Sequence, residues 1–169
     1  VTDTFYFNNQ TDLNAGIAHL LHANPNKNAA NTQQRRQDFD IIFLLAPPQT
    51  ARQIVPLLKY YYAGNVPIYA TSMVYSGAPS AQDSDLNGVT FADMPWTLQN
   101  ANTSAIKSDS KTGRLYALGR DAYLVINQFY RLSMLPNFPI YGATGALTLT
   151  SQQQIYRRLA WVQMHNGRP

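Results

Sequence analysis

The chain has 169 residues, 45% of them hydrophobic, enough for one sizeable core but not for a second independent one. It carries 13 Lys and Arg against nine acids, all of them Asp, giving a net charge of +4, and it contains no Cys. Disulfides, thiolate metal sites and a Cys nucleophile are thereby excluded. Apart from the pairs Arg35–Arg36 and Arg157–Arg158, the basic residues are too scattered for a nucleic-acid footprint.

Thr4–Phe7 is β-branched and aromatic and predicts a short strand, followed by the turn Asn8–Asn9. Thr11 or Asp12 caps a helix whose apolar positions are Leu13, Ile17, Leu20 and Leu21. Residues 24–37 hold seven Asn or Gln, three basic residues and no large apolar side chain, which predicts a solvated loop. Asp38–Ala46 then supplies the apolar run Ile41–Ala46, the pattern of a strand buried on both faces. At six residues it is far short of the roughly 20 that a membrane span needs. Val1–Gln10 also lacks the basic start and apolar stretch of a signal peptide.

A helix is expected over Gln49–Ala63, with Tyr61 and Tyr62 on its apolar face, a bend at Pro56, and Gly64 at the positive-φ position that ends it. Pro67–Thr71 and Gly88–Phe91 predict two more strands. The longest helix is expected over Ser108–Leu135. There Leu115, Leu118, Ala122, Val125, Phe129 and Leu132 repeat at spacings of three and four as an inward stripe. Asp109 and Arg131 suit the two ends of its dipole. After Pro136 and Pro139 come the turn Gly142–Gly145, a short strand Leu147–Leu149, and the segment Ile155–Met164. Strands alternating with helices predict an α/β fold, a three-layer αβα sandwich with a mainly parallel sheet.

Binding surfaces in such sheets gather beyond the carboxyl ends of the strands. The loops there point to Asn9, Gln49, Ser72, Tyr75, Trp96 and Tyr141 as a candidate cleft or partner surface. With 11 Tyr in the chain, Tyr60, Tyr75 and Trp96 have the aromatic bodies and polar tips that interfaces favour. Catalytic, cofactor and metal sites are not expected. His19 and His22 are three apart on a helix but lack a third ligand nearby. Asp83–Gly88 imitates the first half of a calcium loop, yet the twelfth position is Met94 where a Glu is required. Gly142–Gly145 lacks the Lys-Ser/Thr of a phosphate loop, and Asp38 and Asp40 bracket Phe39 as a charged strand entrance.

Several co-linear blocks resemble the LppC family of penicillin-binding protein activators: Arg35–Leu58, Pro67–Ser72 with Tyr75–Gly77, Asp93–Trp96, Arg114–Tyr123, Tyr141–Gly145 and Ile155–Gly167. The resemblance implies an outer-membrane lipoprotein facing the periplasm, which binds and stimulates a class A penicillin-binding protein, a peptidoglycan synthase. It implies a C-terminal domain similar to type I periplasmic solute-binding proteins, with two α/β lobes around a cleft. Residues 1–169 then form a single α/β lobe, most of the second one. Another strand and helix of that lobe precede Val1, and the lipid-bearing cysteine lies far upstream. The implied role is regulation without catalysis, with peptidoglycan as a further partner, no nucleic acid, and membrane attachment only through the lipid. The alternative is a sensor that holds a small molecule at Ser72, Tyr75, Trp96 and Tyr141.

Overall fold

The computed structural model describes residues 1–8, 10–23, 35–99 and 111–169. Two compact units emerge. The first comprises Val1–Val74, Ser80–Thr90 and Gln163–Arg168, and the second Tyr75–Pro79, Phe91–Val162 and Pro169.

In the first unit, Asp12 caps helix α1 (Leu13–Leu20) by accepting from the N–H groups of Asn14 and Ala15 at 3.0 and 3.1 Å. Strand β1 (Ile42–Leu44) pairs in parallel with β2 (Ile68–Ala70), with Phe43 opposite Tyr69. Between them runs α2 (Pro48–Leu58), started by Pro48 in the first turn, where a missing N–H costs nothing. Ala51, Ile54, Val55 and Leu58 form its buried stripe, at the spacing one helical face requires. This strand–helix–parallel strand order is the α/β class that the sequence predicts. The larger sheet has the order β1-β2-β3-β7, with β3 at Val89–Asp93 and β7 at Ala160–Gln163.

Several local expectations are corrected here. Thr4–Phe7 forms no ladder among the described residues; instead the Phe5 ring lies against Gly16 of α1, where any Cβ would collide with it. The strand β1 is buried on one face only: Leu44 and Ala46 point inward, while Phe43 is 66% exposed and Ile41 and Leu45 are open as well. A run apolar at every position says that both faces tolerate burial, not that both are covered. After α2 the chain widens into a π-helical turn, Lys59–Ala63, and the left-handed residue is Tyr62 (φ 65°) while Gly64 is ordinary (φ −65°). Arg35 Nε donates to the Tyr62 carbonyl at 2.8 Å, which fixes that turn. Tyr61 is buried as expected, its hydroxyl on Asn14 Oδ1 at 2.8 Å, but Tyr62 is exposed.

In the second unit, α3 (Pro95–Gln99) and α4 (Lys111–Asn127) are followed by α5 (Phe129–Met134). The expected start of the long helix at Ser108, with Asp109, lies outside the described residues, as do residues 24–34 of the expected solvated loop. The long helix is also interrupted, at Gln128 (φ −108°, ψ 11°). Asn127 Nδ2 donates to the Tyr123 carbonyl at 2.9 Å, a side-chain competitor for the backbone bond at that point. The inward face of α4 is not the predicted stripe. Gly113, Ala117 and Asp121 face in, whereas Leu115, Leu118, Ala122 and, on α5, Phe129 are exposed.

A second sheet, antiparallel, is built from β4 (Ile140–Tyr141), β5 (Ala146–Leu149) and β6 (Ile155–Arg158). Only the middle strand is expected from the sequence. Leu132 of α5 packs with Ile140, Leu147 and Leu149, and Leu124 and Val125 border that cluster. One sheet face is thus covered by helix over β4 and β5. The other carries Tyr141, Ala146 and Arg158 in one row across the three strands, with Thr148 opposite Tyr156 in the next.

Candidate functional site

The six residues singled out from the sequence meet different fates. Asn9 lies outside the described residues. In the first unit, Gln49 is exposed in the first turn of α2, and Ser72 is partly buried in the 3-10 turn after β2. In the second unit, Tyr75 is only 2% exposed, its ring tilted against Phe91 at 5.9 Å, so its aromatic body belongs to the core and not to an open surface. Trp96 is half-buried and Tyr141 is 79% exposed. Trp96 and Tyr141 are brought to one feature, the turn Gly142–Gly145: the Trp96 backbone N–H donates to the Ala143 carbonyl at 2.9 Å.

Asp121 holds that turn from α4. Its carboxylate accepts from Ala143 N–H at 2.6 Å, Thr144 N–H at 2.7 Å and the Thr144 hydroxyl at 2.6 Å. Three donors on one buried carboxylate make a strong, charge-assisted clamp. Both glycines of the turn have a steric reason. A Cβ at Gly142 would run into the Asp121 carboxylate, and one at Gly145 (φ 148°) into the carbonyl of Arg158. The Gly-Ala-Thr-Gly sequence is therefore a device for joining β4 to β5 against α4, in keeping with a tight turn and not with a phosphate cradle.

Beside the turn, Trp96 packs tilted against Tyr116 (ring centroids 5.6 Å apart), and the guanidinium of Arg120 lies 5.9 Å from the Trp96 ring, within cation–π range. Behind it, Arg114 grips the buried Asp93 with two parallel bonds of 2.6 and 2.8 Å. Sequence reasoning overlooked Asp93, Arg114 and Asp121, because a buried carboxylate has no periodicity to announce it. It also read Arg157–Arg158 only as a local charge pair.

The first unit holds a different polar cluster. Arg36 bonds Asp38 at 2.6 and 2.7 Å and Asp3 at 3.0 Å, beside a shallow depression of about 450 Å³ lined by His22, Arg36, Gln37 and Asp38. The Arg36 side-chain hydrogen bonds hold the Asp38 carboxyl down at about 2. The Thr4 backbone N–H, with Arg36 behind it, lowers Asp3, and the two carboxylates in turn raise Arg36. Asp83 is also engaged: it accepts from Arg52 at 2.7 Å and from the Ser80 N–H at 3.0 Å in a capping box. The His19 and His22 rings are 6.4 Å apart, and among the described residues no group of three or more His, Asp or Glu is placed to hold a metal. These acids satisfy arginines and backbone donors.

The profile of the family described as LppC putative lipoprotein matches residues 4–167. The penicillin-binding protein activator LpoA of Edwardsiella ictaluri is 31% identical over 138 residues, covering 76% of this chain and 20% of that protein. The chain thus spans about a fifth of the length of the curated relatives it matches first. Among solved structures, the LpoA (YraM) C-domain from Haemophilus influenzae, described as a regulator of PBP1A, superposes with a TM-score of 0.65 at 26% identity, over 94% of this chain and 49% of that one. A putative branched-chain amino acid ABC transporter protein from Chromobacterium violaceum gives a TM-score of 0.55 at 29% identity, over 74% of this chain and 42% of that one. On the strength of a profile match over nearly its whole length, the chain belongs to the LppC putative lipoprotein family.

Proposed function

We propose that this chain is part of a penicillin-binding protein activator and works by binding, without catalysing a reaction. The observation that carries the reading is the fit to the LpoA C-domain, nearly complete for this chain and half complete for that one. A share of one half supports the view that residues 1–169 are most of one lobe of a two-lobe domain. The longer protein would face the periplasm from the outer membrane, held by a lipid, and its partner would be a class A peptidoglycan synthase. Activation then requires that it bind the active state of the synthase more tightly than the resting one. The test is a glycan-polymerisation and cross-linking assay on a class A synthase with the full-length protein added. Stimulation that saturates with added protein is expected, and a synthase indifferent to it removes the reading.

A second reading is favoured by one observation, the likeness to the putative branched-chain amino acid transporter protein. A lobe of that kind closes on a small ligand, so branched-chain amino acids would raise the melting temperature by mass action. A melting curve that ignores them leaves the activator reading alone.

A further inference from the structure

We infer that the open face of the β4–β5–β6 sheet is a docking trough for an extended acidic segment of the protein's partner. The inference rests on the activator reading and deepens it by naming the chemistry of the docking face. Its basis is the strand register. Tyr141 lies opposite Ala146, and Ala146 lies opposite Arg158, so all three side chains project from the same face. Thr148 and Tyr156, two residues along, project from that face as well. On β4 and β5 the opposite face is the covered one, with Ile140, Leu147 and Leu149 buried against Leu132.

Relief follows from residue size. Ala146 and Thr148 form a low floor on the central strand. Tyr141 stands on one flank and is 79% exposed; Tyr156, 61% exposed, stands with Arg158 on the other. Adjacent strands are about 4.8 Å apart, so the flanks are separated by about 10 Å, the width of an extended peptide with its side chains. Two tyrosines that remain this open, on a face with a small-residue floor, are an interface pattern and not a core pattern.

Charge selects the occupant. Among the described residues of this unit, the exposed charged side chains are Arg120, Arg131, Arg157 and Arg158, of which the register puts Arg158 on this face and Arg157, opposite Leu147, on the other. The carboxylates of the same residues, Asp93 and Asp121, are buried and already bonded. No described acid of the unit is therefore exposed to neutralise the arginines. The planar Arg158 guanidinium, on the same strand as Tyr156 and across the floor from Tyr141, suits a carboxylate side chain, which it binds with two parallel hydrogen bonds, while the rings cover neighbouring apolar groups. Gly145 belongs to the same device. It lets the turn pass against the Arg158 carbonyl, which sets the end of β6 that carries the guanidinium.

The experiment measures affinity of the full-length protein for the soluble periplasmic part of a class A penicillin-binding protein, over a salt series. Arg158→Glu and Tyr141→Ala are expected to weaken binding about tenfold or more, and Arg158→Glu to flatten the salt dependence, as loss of a solvent-exposed interface charge does. Arg131→Glu, on α5 outside the trough, is the control and should change affinity far less. Far-UV circular dichroism confirms that each variant is folded; if Arg158→Glu is not, Arg158→Gln gives the same reading without a new charge. Wild-type binding with both trough variants unaffected overturns the trough and leaves the activator reading standing. A wild type that does not bind the synthase at all overturns both. Sedimentation with purified peptidoglycan, or self-association, that disappears in Arg158→Glu while synthase binding does not change would assign the face to that other occupant and overturn the inference.

Discussion

Thr144 gives both its backbone N–H and its hydroxyl to the carboxylate of Asp121, at 2.7 and 2.6 Å, in a site buried from solvent. The bond ties the turn between β4 and β5 to the middle of α4, across 23 residues of chain. Asp121→Ala would leave the buried Thr144 donors and the part-buried Ala143 N–H without a partner, at a cost of about 3 kcal/mol. Asp121→Asn keeps the shape and one acceptor, and should cost less. Urea denaturation measures both, and amide exchange at Ala143 and Thr144 should quicken in the Ala variant. Unchanged exchange there would show that the turn does not depend on the clamp.

Arg114 and Asp93 give a second prediction, in which the order of variants matters more than any single value. Asp93 is buried and also accepts from the Met94 N–H at 2.7 Å. Arg114→Ala strands a buried carboxylate and should cost about 3 kcal/mol, the lower end of the range for broken buried pairs, because Arg114 keeps some contact with water. Adding Asp93→Asn to that variant removes the stranded charge. The double variant should therefore unfold at higher urea than Arg114→Ala alone. The reverse order would mean that Asp93 draws its stability from the backbone donor and not from the arginine.

Sequence patterns disclosed the α/β class and the β1–α2–β2 unit, because strand and helix each repeat with the period of their own secondary structure. Patterns failed where a single polar contact outweighs periodicity. The 3-4 spacing of Leu115, Leu118 and Ala122 is real, yet α4 turns Asp121 inward because three donors of the 143–144 turn are there to receive it. Gly64 satisfied the rule for helix ends, but Arg35 bonding the Tyr62 carbonyl placed the left-handed residue two positions earlier. β4 and β6 were missed because one is two residues long and the other ends in two arginines. Of the site residues, Tyr141 and Trp96 converge on one turn. Tyr75 was misjudged, since an aromatic with a polar tip reads alike at a surface and at a core boundary.

Asp83 bears on the calcium-like segment Asp83–Gly88. Its carboxylate is buried, accepts two bonds from Arg52 at 3.0 and 2.7 Å, and closes a capping box with Ser80. A carboxylate so engaged would have to leave a guanidinium to meet a cation. Millimolar calcium is thus expected to leave the melting temperature unchanged, whereas Asp83→Asn should lower stability by about 2 kcal/mol through loss of a charge-assisted bond. A clear calcium-dependent rise in melting temperature would contradict the arginine assignment.

Asp38 supplies the pH prediction. Its carboxyl is held at about 2 in the folded chain, against an ordinary 3.8, chiefly by the Arg36 hydrogen bonds. A depressed carboxylate contributes stability that is fully present above its unfolded value and is lost as pH falls through its folded one. The difference in melting temperature between the wild type and Asp38→Asn should therefore be flat from neutral pH down to about 3.8 and shrink between there and about 2. Asp38 is exposed, so the difference will be modest and will diminish further in high salt. Carbon-detected NMR of the side-chain carboxyl reads the midpoint directly. A midpoint near 3.8 would mean that Arg36 spends its time on other acceptors, Asp3 first among them.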